Sequence, residues 1–285
     1  ALAITGADKA NIISYCIGGT LTAAALAYLA EKGDDRVASV TFLTTMIDFA
    51  EPGELGVFID EEQLDRLEEH MVKKGYLDGG HMSQVFNMMR DKDLIWSFVI
   101  NNYLMGCEPM AFDLLYWNAD PTRMPAMMHS VYLRELYLKN KLIEPGGITL
   151  DGTPIDLTKI TVPVYIISTK DDHIAPWKST YAATQIYKGP VRFVLSSSGH
   201  IAGVVNPPAA GKYCFWSGAK TPADPEAWFS AAKQTDGSWW PDWQKWVKKH
   251  TGTQIKARKP GNPKYQPLED APGSYVKVHL NPEKK

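Results

Sequence analysis

Cysteine is scarce in this chain: three residues in 285, at Cys16, Cys107 and Cys214, with no CxxC pair among them. Such spacing excludes a disulfide framework as the basis of the fold and fits a reduced, cytoplasmic compartment. No apolar run is long enough to cross a bilayer, and no low-complexity tract interrupts the chain. His70, His81, His129, His173, His200, His250 and His279 form neither an HExxH pair nor a compact His/Cys set, so no metal site is expected. Rossmann and phosphate-loop glycine patterns are missing too. A formal net charge of -2 argues against a general nucleic-acid-binding surface, while leaving room for a local basic cleft. Ala1 begins without an initiator methionine or a signal pattern, so the chain is expected to be a fragment or a processed form.

What is present is enough apolar material for a core and an alternation of strand and helix signals. Hydrophobic residues make up 45% of the sequence. Apolar runs predict strands over 11–15, 36–43, 162–168 and 191–195, with helices over 18–31 and 177–187. This order favours a parallel α/β sheet covered by helices. Residues between about 45 and 157 differ: 61–71 is charged and helical, 94–104 carries large apolar groups, and 124–142 reads as an amphipathic helix. The expected organisation is therefore 1–44 as the first part of the core and 45–157 as an inserted, mainly helical cap. Residues 158–285 then supply the rest of the core and a C-terminal extension. An independent small domain is the other reading of the insert.

Chemistry enters at Ile12-Ile13-Ser14-Tyr15-Cys16-Ile17-Gly18-Gly19-Thr20, an apolar strand running into a small-residue turn and then a helix. Such a turn can lift a nucleophile above the carboxyl edge of a sheet, beside a helix N-terminus. A cysteine there points to acyl transfer through a thioester; an ordinary buried cysteine is the bland reading. The backbone N–H of Ile17, next after the nucleophile, is the candidate oxyanion donor.

Two further loops leave predicted strands with polar groups. The first is Lys170-Asp171-Asp172-His173; the second is Ser196-Ser197-Ser198-Gly199-His200. The order Cys16, carboxylate, His200 is that of an α/β-hydrolase nucleophile, acid and base. Spacing alone does not choose between Asp171 and Asp172, and either Asp172 or His200 taken singly could be a helix cap or a loop residue. Trp239, Trp240, Trp243 and Trp246 read as core packing, whereas Trp96, Trp117 and Trp177 are candidates near the cap and pocket.

From about 11 to 277 the chain resembles the catalytic region of polyhydroxyalkanoate synthases, especially the class acting on short-chain hydroxyacyl-CoAs. The resemblance rests on Tyr15-Cys16-Ile17-Gly18-Gly19-Thr20, Phe42-Leu43-Thr44-Thr45-Met46-Ile47-Asp48-Phe49 and Phe112-Asp113-Leu114-Leu115-Tyr116-Trp117-Asn118. It extends through Asp172-His173-Ile174-Ala175-Pro176-Trp177, Gly199-His200-Ile201-Ala202-Gly203 with the following Asn206-Pro207-Pro208, and Gly237-Ser238-Trp239-Trp240-Pro241-Asp242-Trp243. It implies an α/β-hydrolase core with an inserted helical cap and upstream strands outside this chain. It also implies Cys16 as nucleophile, Asp172 as the relay carboxylate and His200 as general base. Ser14 departs from the family's G-x-C-x-G box, which has glycine there. The implied reaction joins 3-hydroxyacyl-CoA units to a growing polyester and releases coenzyme A, which is the substrate's carrier rather than a cofactor. A homodimer and association with polymer granules are the implied partners, with no nucleic acid. A thioesterase or polyester hydrolase, and a noncatalytic granule-binding or assembly domain, are the competing functions.

Overall fold

A computed structural model of the chain describes residues 1–109 and 122–278. The chain divides into two compact units. One comprises Ala1–Glu61 and Tyr132–Lys256; the other gathers the described residues of Glu62–Val131 and Ala257–Lys285.

The first unit is built on a six-stranded sheet: β1 (Ala10–Tyr15), β2 (Val37–Leu43), β3 (Val164–Thr169), β4 (Val191–Ser196), β5 (Cys214–Ser217) and β6 (Lys233–Asp236). They lie side by side in chain order. β1 through β4 are parallel, whereas β5 and β6 are antiparallel to their neighbours. The four strands β1 to β4 form the parallel part expected from the sequence, and the two antiparallel strands make the whole sheet mixed. β5 and β6 escape a pattern-based reading because they are short, and all four residues of β6 are exposed. Pairing along the backbone holds them, with no apolar periodicity to announce it.

β3 explains why the interior needs unbroken apolar runs. All six of its residues are buried, and they alternate between the two faces of the sheet. Val164 and Ile166 join a core with Val40, Phe42, Phe193 and Leu195. Tyr165 and Ile167 join a second core with Leu43, Val194, Phe215 and Trp239. On the first face lies helix α1 (Ile17–Glu31), whose buried side is largely Ala23, Ala24, Leu26 and Ala27. Its small residues let the helix lie close to the strands.

In the second unit are α2 (Glu61–Lys74, whose first residue belongs to the first unit) and α3 (Gly79–Met89). The short antiparallel pair Tyr76–Leu77 and Met124–Pro125 lies here as well. Stretches of π-helix span Lys92–Trp96 and Val99–Leu104. The helix expected over 124–142 is interrupted. It is replaced by Ala126–Val131 in α form, a π-helical Tyr132–Leu138 and a 3-10 turn at Lys141–Ile143. The helix expected over 177–187 is likewise divided, into Trp177–Tyr181 and Ala183–Ile186. Among the described residues no helix is long and apolar enough to cross a membrane.

Candidate active site

The parallel strands deliver their C-terminal ends to one edge of the sheet, where open α/β sheets bind ligands. β1 ends directly in Cys16, which has φ 49° and ψ −124° and stands at the N-cap of α1. A positive φ is costly for a residue with a β-carbon, so surrounding contacts must hold it. They do so from both sides. The Cys16 N–H donates to Leu43 O at 2.9 Å, and Cys16 O accepts from Gly19 N at 2.8 Å and Thr20 N at 3.2 Å.

The glycine at position 19 is required by space. A β-carbon there would stand 1.8 Å from Thr45 Oγ1, and that hydroxyl itself donates to Cys16 O at 3.3 Å and Leu43 O at 3.2 Å. Gly18 has no such neighbour. Ile17 is the first residue of α1, so its N–H has no preceding helical turn to donate to. It therefore suits the oxyanion role assigned to it, at the positive end of a fifteen-residue helix. Ser14 carries a cost: its buried hydroxyl has no hydrogen-bond partner among the described residues.

Asp172 lies beyond the end of β3, and its carboxylate is fully engaged. Oδ1 accepts from the backbone N–H groups of Ile174 and Ala175, each at 2.9 Å. Oδ2 accepts from Thr169 Oγ1 at 3.0 Å and meets His200 Nδ1 at 2.7 Å. Asp171 is exposed, so geometry separates the two neighbouring acids. His200, in the loop after β4, is 7% exposed. Burial pulls its imidazole toward the neutral form, but the hydrogen bond to Asp172, that with the Cys16 side chain and the charges of both together outweigh burial. The ring is pushed up to about 9 and is an imidazolium at neutral pH. Cys16, Asp172 and His200 are therefore brought together.

Several residues at the site carried no usable signal in the sequence. Tyr15 donates its hydroxyl to the His200 carbonyl at 2.5 Å, and its ring meets the imidazole edge-on at 5.5 Å. Burial pushes the Tyr15 phenol up to about 12. Burial is the largest cause that raises Tyr132 and Tyr137, so both are neutral hydroxyls. Their rings contact each other at 5.2 Å, and that of Tyr137 lies 4.6 Å from Phe49. The signal that could have flagged these tyrosines is their density beside motif residues, but ring spacing says nothing about which tyrosine reaches a hydroxyl.

Of the tryptophans singled out, Trp239 is fully buried and stacks on Trp240 at 4.1 Å. Trp177 packs with Trp228 and Phe229 in the first unit, and Trp96 is about half exposed in the second. Trp117, the 112–118 motif and His279 lie outside the described residues. Among the described residues no group of three or more His, Cys, Asp or Glu side chains could hold a metal ion.

Comparison with known proteins extends this geometry. The chain is 50% identical over 272 residues to a poly(3-hydroxyalkanoate) polymerase subunit PhaC of Rhizobium etli, covering 95% of this chain and 43% of that protein. It is 48% identical to a poly(3-hydroxyalkanoate) polymerase of Methylorubrum extorquens, covering 96% of this chain and 45% of that one. With the PhaC subunit of Cupriavidus necator the identity is 44%, covering 96% of this chain and 48% of the relative. The chain thus spans less than half the length of these relatives. The model of the alpha/beta hydrolase fold matches residues 1–207. With that model matching most of its length, the chain belongs to the alpha/beta hydrolase fold family.

Proposed function

We propose that the protein to which this chain belongs is an acyltransferase that polymerises short-chain 3-hydroxyacyl-CoA into polyhydroxyalkanoate. The observation that carries the reading is a cysteine, not a serine, at a strained elbow beside a buried His–Asp pair. Similarity to polymerases along almost the whole chain supports it.

In the first step Cys16, its proton passed to His200, attacks as a thiolate the carbonyl carbon of the acyl-CoA thioester. The developing oxyanion takes the N–H of Ile17. The C–S bond to coenzyme A breaks, and the departing thiolate takes the proton held on His200, leaving the ring neutral. The acyl group stays on Cys16 as a thioester, so one thioester has replaced another at little cost in bond energy. In the second step neutral His200 removes the proton from the 3-hydroxyl of another hydroxyacyl unit. That oxygen attacks the Cys16 thioester, an ester forms, and Cys16 leaves as thiolate beside the new imidazolium. Asp172 holds Nδ1 throughout, so Nε2 is the nitrogen that exchanges protons.

In this reading coenzyme A enters as the carrier of the substrate. The insert between β2 and β3 is assigned the role of a cap. The whole protein works as a homodimer in the cytoplasm, at the surface of polymer granules.

The test supplies 3-hydroxybutyryl-CoA to the full-length protein and measures free coenzyme A together with ester-linked product. Polymer formation that disappears in Cys16→Ala is the expected result. Coenzyme A release accompanied only by free hydroxy acid would assign the site to hydrolysis. Substrate-independent attachment to polymer would point to an assembly domain.

A further inference from the structure

We infer that Trp239 and Trp240 are positioning residues for His200, clamping through their indole N–H groups the helical turn that follows it. The inference rests on the acyl-transfer reading, in which His200 moves the proton.

After His200 and Ile201 the chain makes a single turn of helix, Ala202–Val205, and leaves it at Asn206 with φ 13° and ψ 71°. Four residues are too few to sustain a helix alone, because nucleation fixes several dihedrals for very few hydrogen bonds. The last carbonyls of any helix also lack partners within it. Here two of them find indoles. Trp239 Nε1 donates to Val204 O at 3.0 Å, and Trp240 Nε1 donates to Val205 O at 3.0 Å. An indole N–H is a donor only, so each ring has one use for its polar edge and spends it here. The two rings stack at 4.1 Å with planes 25° apart, so neither donor moves independently of the other.

The clamp is referenced to the sheet that carries the rest of the site. Helix α5 (Trp240–Val247), named after α4 (Pro225–Ala231), begins at this pair. Its Asp242 receives Arg192 of β4 through two contacts, at 2.8 and 2.5 Å, and the Tyr165 hydroxyl of β3 at 3.0 Å. The opposite side of the turn is equally constrained. A β-carbon on Gly203 would lie 2.5 Å from Thr169 Cγ2 and 2.6 Å from Ser197 O. The turn therefore sits against the exit of β3, where Thr169 also holds Asp172. Tyr15 fixes the His200 carbonyl from β1. Removing the indole donors frees the last two carbonyls of the turn that follows His200. The imidazole would lose its fixed reach to Asp172 and Cys16.

The experiment uses the full-length protein with Trp239→Phe and Trp240→Phe, which keep an aromatic ring and delete the donor. Trp243→Phe is the control: its indole donates to Thr41 Oγ1 of β2 at 2.9 Å rather than to the turn. Two readouts are taken: kcat and KM for 3-hydroxybutyryl-CoA, and the pH profile of Cys16 alkylation by iodoacetamide. Because displacement of a reacting group by about 1 Å can cost about 100-fold, kcat should fall about 10- to 100-fold in both clamp variants with KM held within about twofold. The His200-linked inflection should move down from about 9 toward 6.5. Trp243→Phe should leave the profile where it was.

An unmoved profile and kcat in Trp240→Phe, or an equal effect of Trp243→Phe, would overturn the clamp. Should Trp239→Phe fail to fold, Trp240→Phe decides alone, since Trp240 is only partly buried. A Cys16→Ala protein that still polymerised would defeat the acyl-transfer reading instead. The alkylation profile of the clamp variants tests His200 placement independently of that outcome.

Discussion

Replacing Asp172 by asparagine changes one oxygen for an amide nitrogen, and the site has no acceptable place for it. All four groups around the carboxylate are donors or can act as donors: Ile174 N–H, Ala175 N–H, Thr169 Oγ1 and His200 Nδ1. An asparagine side chain offers one acceptor oxygen and one NH2 group with two N–H donors. With its oxygen kept on the two backbone N–H groups, its NH2 faces Thr169 and His200. The imidazole must then present a lone pair at Nδ1 and carry its proton on Nε2, the nitrogen required to accept one. With the amide reversed, the NH2 confronts two buried backbone donors, at about 1–3 kcal/mol for each unsatisfied group.

The electrostatic loss is of similar size. Raising His200 from 6.5 to about 9 favours its imidazolium, by about 3 kcal/mol. Hydrogen bonding to Asp172 is the largest contribution in that direction. We therefore expect Asp172→Asn to lower polymerisation about 10³- to 10⁴-fold, the scale seen when a triad carboxylate is neutralised. Asp171→Asn should stay near wild type, because Asp171 is exposed.

Stability gives a second readout with a defined sign. A histidine raised in the folded state contributes stabilisation fully present below its unfolded value near 6.5 and lost as pH rises through about 9. Urea unfolding should show wild type losing stability across that window and Asp172→Asn losing much less. Activity of Asp172→Asn within tenfold of wild type, or greater damage from Asp171→Asn, would refute the reasoning.

Two other substitutions test the elbow and its surroundings. Gly19→Ala places a methyl group 1.8 Å from Thr45 Oγ1; overpacking of this kind should cost about 1–3 kcal/mol, read as a lower urea midpoint. An unchanged midpoint would mean that the elbow and the β2 exit can separate freely. Tyr15→Phe deletes the hydroxyl that holds the His200 carbonyl, so stability should fall by about 1 kcal/mol, with lower turnover and unchanged Cys16 labelling stoichiometry. Wild-type turnover in that variant would show that Tyr15 does not steady the loop.

What was legible in the sequence divides along physical lines. The strands carrying Asp172 and His200 could be read because central parallel strands are buried on both faces, and β3 has no polar face to blur its apolar run; β1, which carries Cys16, is an edge strand and was read from its apolar residues ahead of the small-residue turn. The order of the three side chains then followed from the loops at their ends. Asp172 could not be separated from Asp171 on spacing, because adjacent loop residues differ only in where the backbone turns. That choice is made by the amides of Ile174 and Ala175 and by the Thr169 hydroxyl. Helix interruptions at Tyr132 and Ala182 were invisible for a related reason: tertiary packing sets them, and apolar spacing does not.

The tryptophans sharpen this distinction between burial and role. Their spacing indicated packing, and Trp239 is fully buried. Yet burying an indole creates an obligation, because its N–H must find an acceptor. Those of Trp239 and Trp240 find the two carbonyls of the turn after His200. A core residue can therefore also act at the site, since satisfying its polar edge fixes a backbone segment beside the chemistry. Hydrophobic periodicity can report the first property and is blind to the second.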